Sequence, residues 1–379
     1  MKLYWILLAA FAVFALQAAL YRRRGLKGLG YERTFSAASC VEGDQVEMIE
    51  RVSNRKWLPL PWLKLESSIP VALKFRSQTN LDISEGSLFQ HHASLFSLMP
   101  YTEIVRRHTV TCQRRGCYRL ASATMSCGDL LGLVRVTRTL ELDAELVVYP
   151  GVVPLDDIGL PSHSLQGDVT VRRWIAEDPF LISGVREYRS GDPLRSVNWK
   201  ASARTGKLHV HVRDHSADHR LMILVNVEIS ETMWKAVTDP ERIEDALRRA
   251  ATLARRAIGE GMPAGFGCNG FVAGDSRKAP VRVAPAGGRA QLVRVLDAMA
   301  RVEISLGVPF DLLLEREAEL AEEATDYVLF TTFVSEAIRI RIDRLRQLGH
   351  AVRVVMLNDA DERGREVDGD AGARAAEHR

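Results

Sequence analysis

The stretch LMILVNVEIS, residues 221–230, decides the fold of the second half of the chain. Its first half is a continuous apolar run, which is typical of a strand buried on both faces of a parallel sheet. Further helical and strand-like patterns alternate after it: helices at residues 242–261, 289–302 and 335–349, and strands at residues 264–272, 326–332 and 350–357. This order predicts an α/β, Rossmannoid domain over residues 221–358, with ligands expected beyond the carboxyl ends of the strands.

Residues 31–150 follow a different pattern. They contain short runs rich in Val, Thr, Ile and Tyr, partly alternating in polarity and separated by Gly, Pro, Asn and Asp. Such runs indicate antiparallel strands joined by turns. The sequence therefore predicts an immunoglobulin-like β-sandwich here, and a fold class of α/β plus all-β for the whole chain.

The first 24 residues have the properties of a transmembrane helix. The apolar run from Leu3 to Leu20 spans roughly 27 Å as a helix. Arg22, Arg23, Arg24 and Lys27 follow the run, against a single Lys2 before it. The positive-inside bias predicts a single-pass anchor at residues 1–24 with the bulk of the chain in the cytoplasm. A cleaved signal peptide is the weaker alternative, because its charge precedes the apolar run.

The composition is that of an ordinary globular protein. The chain has 379 residues, a net charge of +3, and 46% hydrophobic and 26% charged residues. The small net charge argues against nucleic acid as a partner. The sequence shows neither a phosphate-binding loop nor a nucleophile–base pair, which predicts a protein that is not an enzyme. Cys112, Cys117 and Cys127 do not complete a zinc ligand set, and the five cysteines are expected to be reduced.

The segment between the two predicted domains, residues 151–220, carries the most specific motif. It contains GVREYRSGDPLRSVNWKASARTGKLHVHVRD, preceded in the sandwich by RRGCYRL and CGDLLGLVRV. This combination resembles the domain-of-unknown-function family 58, bacterial membrane proteins often encoded beside MoxR-type AAA+ ATPases, over about residues 42–357. The resemblance implies a β-sandwich followed by a von Willebrand factor A-like domain, and a MoxR-type ATPase as partner. The signature residues taken as a protein-docking or structural set are Arg186, Glu187, Tyr188, Gly191, Asp192, Arg195, Trp199, Lys200 and Arg204.

Three interpretations of this charged signature are open. The first is a structural junction, in which Asp192 or Glu187 pairs with arginines and Trp199 fills the seam between the domains. The second is a docking surface, since Arg and Trp are favoured anchor residues at interfaces. The third is a pocket for a small anion. Downstream, His209 and His211 have metal-ligand spacing, but a solvated strand is the preferred interpretation.

The resemblance also implies a metal site to test. Domains of the von Willebrand A type end their first strand in an Asp-x-Ser-x-Ser motif that binds a divalent cation, and the matching positions here are Asn226, Glu228 and Ser230. The leading Asp is absent, and Thr331 and Thr332 stand where a second Asp is expected. Mg²⁺ is therefore only a weak candidate cofactor, and otherwise no cofactor is expected.

Together these patterns predict a non-enzymatic scaffold or adaptor in the bacterial inner membrane. It would act with a MoxR-type AAA+ ATPase in protein-complex assembly or envelope-related processes. The alternative is a divalent-metal-dependent binding protein or enzyme that uses the degenerate site. The tail at residues 359–379 is charged and lacks apolar periodicity, so it is expected to be disordered.

Overall fold

The computed structural model describes residues 2–75, 81–85, 89–129, 132, 134–154, 182–188, 197–213, 220–231, 239–320 and 325–357. These residues belong to two compact units, Met1–Gly151 and Val152–Arg379. The helices are α1 (Lys2–Arg24), α2 (Trp199–Thr205), α3 (Pro240–Gly259), α4 (Arg289–Arg301), α5 (Phe310–Leu320) and α6 (Glu336–Gln347). The predicted disordered tail, residues 359–379, lies outside the described residues.

The described residues of the first unit form ten strands. They are β1 (Leu29–Phe35), β2 (Ser39–Val41), β3 (Gln45–Asn54), β4 (Leu60–Pro70), β5 (Leu73–Phe75), β6 (Leu81–Glu85), β7 (Phe89–Leu98), β8 (Glu103–Cys112), β9 (Gly116–Gly128) and β10 (Arg135–Tyr149). The second unit contains nine described strands, β11 (Ile182–Glu187), β12 (His209–Arg213), β13 (Arg220–Val225), β14 (Ala264–Cys268), β15 (Phe271–Val272), β16 (Val281–Ala286), β17 (Val302–Glu303), β18 (Thr325–Thr331) and β19 (Val352–Met356).

The strands of the first unit form a β-sandwich. One sheet has the order β1-β3-β8-β5 and the other the order β2-β10-β9-β4-β7-β6. Inward-facing residues of both sheets share one apolar cluster, for example Met48 of β3 with Ile69 of β4 and Leu146 of β10. The predicted antiparallel sandwich is confirmed, with the exception that the short strand β2 pairs parallel to β10.

Helix α1 is long and apolar enough to cross a membrane. Most of its large apolar side chains are exposed, whereas Tyr21 in its last turn is buried in the sandwich. The Tyr21 hydroxyl donates to the Pro59 carbonyl (3.0 Å), and the Lys56 ammonium donates to the Arg24 carbonyl (2.9 Å). A cation at the helix C-terminus satisfies carbonyls that lack intrahelical partners. The end of α1 is thus anchored to the sandwich.

The second unit is built on a five-stranded sheet with the order β16-β14-β13-β18-β19. Strands β14, β13, β18 and β19 run parallel, as predicted, and β13 is buried along its apolar length. Met222 and Leu224 of β13 pack against α5 and α6 on one face. Since side chains alternate along a strand, the residues between them face the opposite side, where α3 contacts β13 and β14.

Helix α5 and strand β16 are among the elements of this unit that were not predicted from the sequence. Helix α5 was missed because its apolar residues cluster in its first half, at Phe310, Leu313 and Leu314. Strand β16 pairs antiparallel to β14 at the sheet edge. It contains Pro285, which an edge strand tolerates because its outer side needs no ladder hydrogen bond.

Candidate functional site

The described part of the signature segment folds as a small hairpin with a helix between its strands. Strand β11 pairs antiparallel with β12, with Glu187 opposite His209. The Tyr188 amide donates to the Leu208 carbonyl, and the Asn198 amide donates to the His209 carbonyl, both at 2.8 Å. These backbone bonds hold the residue after β11 and the residue before α2 against the start of β12.

Helix α2 is fixed by side chains from the signature itself. The Asn198 side-chain oxygen accepts from the Ala201 amide (2.9 Å), which caps the first turn. The Ser202 hydroxyl donates to the Asn198 carbonyl (2.8 Å) and accepts from the His209 amide (2.8 Å). Gly206 ends the helix with a φ of 70°, a left-handed conformation that favours glycine. The orientation of this two-turn helix is therefore well determined.

The charged side chains of α2 face outward. Lys200 and Arg204 are exposed, and their spacing of four residues places them on one side of the helix. Within the described part of the chain, neither has an acidic partner. Trp199, which precedes them, is 67% exposed, so the described residues of its own unit leave its ring largely uncovered. Its predicted packing between the two domains stays a prediction.

The other members of the signature are described only in part. Glu187 pairs with Lys207 at 3.0 Å, and the hydrogen bond and charge of Lys207 lower the pKa of the Glu187 carboxyl. The backbone of Arg186 pairs with Val210. The side chain of Arg186 and the positions Gly191, Asp192 and Arg195 lie outside the described residues, so their roles stay predictions.

Polar side chains meet at the carboxyl edge of the parallel sheet. Asn226 follows β13 and is fully buried. Its amide nitrogen donates to the Thr331 hydroxyl at the end of β18 (3.1 Å). Its amide oxygen accepts from the Glu228 amide (2.9 Å) and from the Asn269 side chain beyond β14 (3.0 Å). One side chain thus connects the ends of three adjacent strands.

Glu228 lies over the start of α5. Its carboxylate accepts from the Phe310 amide at 3.2 Å, a favourable position for a negative charge at a helix N-terminus. Burial raises the pKa of the Glu228 carboxyl, the Phe310 hydrogen bond lowers it and the charge of Asp311 raises it, with a net upward shift. The Thr332 hydroxyl donates to the Glu228 carbonyl at 3.0 Å. The local chain is therefore held by hydrogen bonds on both sides.

These contacts bear on the expected metal site. A side-chain amide oxygen has two lone pairs, and both lone pairs of Asn226 are used by protein donors. Ser230 is exposed, whereas Asn226 is fully buried. Asn226, Glu228 and Ser230 therefore do not fit a Mg²⁺ site. Instead, the hydrogen bonds of Asn226 include one from Asn269, which was not predicted from the sequence although it is a polar residue directly after a buried strand.

The family model described as "Protein of unknown function DUF58" matches residues 184–377, just over half of the chain. The chain belongs to the DUF58 family. A relative of this chain in Bacillus subtilis (strain 168), "Uncharacterized protein YeaD", is 23% identical over 257 residues, which are 68% of this chain and 62% of the relative. The chain thus matches less than two thirds of the length of this curated relative.

Solved structures similar to the DUF58 chain cover about a third of it. A non-cellulosomal cohesin from Archaeoglobus fulgidus is 8% identical, covers 36% of this chain and 99% of its own, and has a TM-score of 0.22. The CARDB domain of the PF1109 protein from Pyrococcus furiosus, in complex with di-metal ions, is 14% identical to this chain. The match covers 32% of this chain and 97% of the CARDB chain, with a TM-score of 0.20. Similarities at these TM-scores carry no argument about function.

Proposed function

We propose that this DUF58 protein is a membrane-anchored, non-enzymatic adaptor that docks a MoxR-type AAA+ ATPase through α2. The observation that carries the proposal is the outward-facing group of Trp199, Lys200 and Arg204 on a helix held by its caps. Trp and Arg are over-represented among the residues that dominate binding energy at protein interfaces. Because hydrogen bonds already hold α2 in place, binding a partner would cost little free energy for ordering this helix.

The second unit is proposed to have the von Willebrand factor A-like fold that the family resemblance implies. Its central strand β13 has parallel neighbours on both sides, β14 and β18, and helices pack on both faces. Ligands of such sheets bind beyond the carboxyl ends of the strands. Here the Asn226 side chain forms hydrogen bonds with other protein groups at that edge. This disfavours the alternative of a metal-dependent protein and supports docking through α2.

The proposed location is the bacterial inner membrane, with both compact units in the cytoplasm. Helix α1 has the length and apolar surface of a single span. Three arginines lie in its last turn, which favours the cytoplasm for the following residues. The Tyr21 contact with the sandwich would hold the first unit close to the membrane surface.

The experiment is a binding measurement with the full chain in lipid nanodiscs. The probe is a purified MoxR-type ATPase from the same bacterium, with ATP present, measured by biolayer interferometry. The triple variant Trp199→Ala, Lys200→Glu, Arg204→Glu is expected to weaken binding by about 30-fold or more, as loss of an interface hot spot does.

A matched control carries the same kinds of change on α4. The variant Arg289→Glu, Val293→Ala, Arg294→Glu alters two exposed arginines and one exposed apolar residue. It should bind as the wild type does. Wild-type affinity in the α2 variant, or no binding by the wild-type chain, would contradict the proposed function.

A further inference from the structure

The core of the sandwich contains a layer of polar residues. The inward-facing positions of β3 read Val46, Met48, Glu50 and Val52, so an acidic residue occupies one core position. Met48 belongs to one apolar cluster and Val52 to another, and Glu50 lies between them. An ionised carboxylate is rarely found in such a place unless it has partners.

Two histidines approach this carboxylate from both sheets. His108 lies on β8, next to β3, and His92 lies on β7 of the opposite sheet. Glu50, His92 and His108 are 0%, 1% and 3% exposed, and one ligand atom from each lies within 4.8 Å of the others. Among the described residues, this is the only group of three or more His, Cys, Asp or Glu side chains with such spacing.

His92 is the unexplained member of this layer. Neither of its ring nitrogens has a hydrogen-bond partner, although the residue is buried. An unsatisfied buried polar group costs about 1–3 kcal/mol and needs a reason. Burial is the main cause that lowers the pKa of His92 to about 4, so its imidazole is neutral at neutral pH. A neutral imidazole is the form that binds metal ions.

The two oxygens of Glu50 have different surroundings. Oε1 accepts from the Tyr31 hydroxyl (2.7 Å) and from the Arg33 guanidinium (2.6 Å). Oε2 lies 3.1 Å from the His108 Nε2 atom and accepts from the Ser94 hydroxyl at 3.3 Å. Burial alone would raise the pKa of Glu50, but the His108 hydrogen bond and the Arg33 charge lower it below its usual range. The carboxyl group is therefore ionised.

We propose that Glu50, His92 and His108 bind a divalent transition-metal ion of the zinc type inside the sandwich. Two imidazoles and one carboxylate are a common ligand set for such ions, and a fourth position stays open to water. Oε2 is the metal-facing oxygen, whereas Tyr31 and Arg33 hold Oε1 and orient the carboxylate from outside.

Binding requires small local changes. Zinc bonds of about 2.0–2.2 Å in a tetrahedron place ligand atoms about 3.4 Å apart. Glu50 Oε2 and His108 Nε2, 3.1 Å apart, need to separate by only about 0.3 Å to reach that spacing, so the His92 ring makes the main movement. The proton of His108 lies on Nδ1 in the metal-bound form, because Nε2 is then the ligand atom. The positive charge of Arg33 opposes a cation, which predicts moderate rather than very tight affinity.

The test uses the full chain in detergent, without a histidine tag, after EDTA treatment and under reducing conditions. Titration with Zn²⁺ in a calorimeter is expected to give one bound ion per chain and a higher midpoint of thermal unfolding. Co²⁺ is the spectroscopic probe. A nitrogen and oxygen ligand set gives visible d–d bands without the sulfur charge-transfer band that the cysteines would produce.

The decisive variant is His92→Phe, which keeps an aromatic ring near Phe75 and removes the unsatisfied nitrogens. It is expected to fold at least as stably as the metal-free wild type, and to bind Zn²⁺ more than about 100-fold more weakly. Glu50→Gln should weaken Zn²⁺ binding in the same way. The matched control is His91→Phe at the neighbouring exposed position, which should bind like the wild type.

Other outcomes would overturn the site. Absence of Zn²⁺ and Co²⁺ binding in the wild type, or unchanged binding in a folded His92→Phe variant, would do so. Loss of binding in the double variant His209→Ala, His211→Ala would assign the ion to the histidine-rich segment instead. The site does not depend on α2, so these results leave the proposed adaptor function untouched.

Discussion

The side-chain nitrogen of Asn226 lies 3.1 Å from the hydroxyl oxygen of Thr331, and this bond joins the carboxyl ends of β13 and β18. The same asparagine accepts a hydrogen bond from Asn269, after β14. At the position where a metal ligand was expected, the protein has an asparagine whose side chain both donates and accepts hydrogen bonds. A carboxylate in its place would have no proton to donate to Thr331.

The first prediction concerns the stability of this edge. Asn226→Ala leaves the Asn269 amide and the Glu228 backbone amide without their acceptor. The free energy of unfolding of the second unit should fall by about 1–3 kcal/mol, the cost of unsatisfied buried donors. Urea denaturation measures this loss. The exposed Ser230→Ala should change it by no more than about 0.5 kcal/mol, and equal values for the two variants would contradict the structural role of Asn226.

The second prediction concerns the pH dependence of stability through Glu228. Burial raises its pKa above the usual 4.5, so the folded protein binds this proton more tightly than the unfolded chain does. The free energy of unfolding therefore falls as the pH rises through the raised pKa. Glu228→Gln removes this loss while its side-chain oxygen still accepts from the Phe310 amide.

The Glu228→Gln variant should accordingly be more stable than the wild type at pH 7 and nearly equal to it at pH 4. Thermal unfolding across this range measures the difference. Glu231→Gln at an exposed position is the control and should show no such pH-dependent gain. A gain that is constant with pH would show that the titration of Glu228 is not its cause.

The third prediction concerns the thiols of Cys40 and Cys112. Their sulfur atoms lie 3.3 Å apart, on strands of the two different sheets of the sandwich. The hydrogen bond between them raises the pKa of Cys40 and lowers that of Cys112, so Cys112 is the thiol of the pair that loses its proton first and attacks. All five cysteines are free, but diamide should join this pair as a disulfide.

Peptide mapping by mass spectrometry detects the Cys40–Cys112 product. Cys40→Ser should abolish it, whereas Cys268→Ser in the other unit should leave it unchanged. A predominant product that pairs Cys112 with any other cysteine would contradict the prediction.

The fourth prediction concerns the proposed orientation of α1. Changing Arg22, Arg23 and Arg24 to Asn removes the positive charge that favours a cytoplasmic C-terminal side. With the wild-type helix, a C-terminal green fluorescent protein should fluoresce and a C-terminal alkaline phosphatase should be inactive. In the triple variant, the fluorescence should decrease and the phosphatase activity should increase, as in the opposite orientation. Loss of Arg289 and Arg294, far along the chain, is the control and should shift neither.

Local patterns predicted most of the second unit. The apolar run of β13 and the three- and four-residue spacing in α3 were sufficient, because each pattern lies within one element. Helix α5 was missed because its apolar residues are concentrated at one end. The proposed metal site in the sandwich was also missed, although Glu50 gave a signal. It occupies an inward-facing position between Met48 and Val52, where an apolar residue is expected.

The sequence by itself determined most of the helices and strands of the second unit and the three arginines in the last turn of α1, since these depend on neighbours a few residues apart. It also determined the family, through the order and spacing of the residues in the signature segment. Only the tertiary structure decided which side chains meet. Glu50, His92 and His108 come from three strands far apart in the chain, and strand pairing and sheet stacking bring them within 4.8 Å. Likewise, Asn226 became a buried hydrogen-bond hub because parallel pairing placed Asn269 and Thr331 beside it.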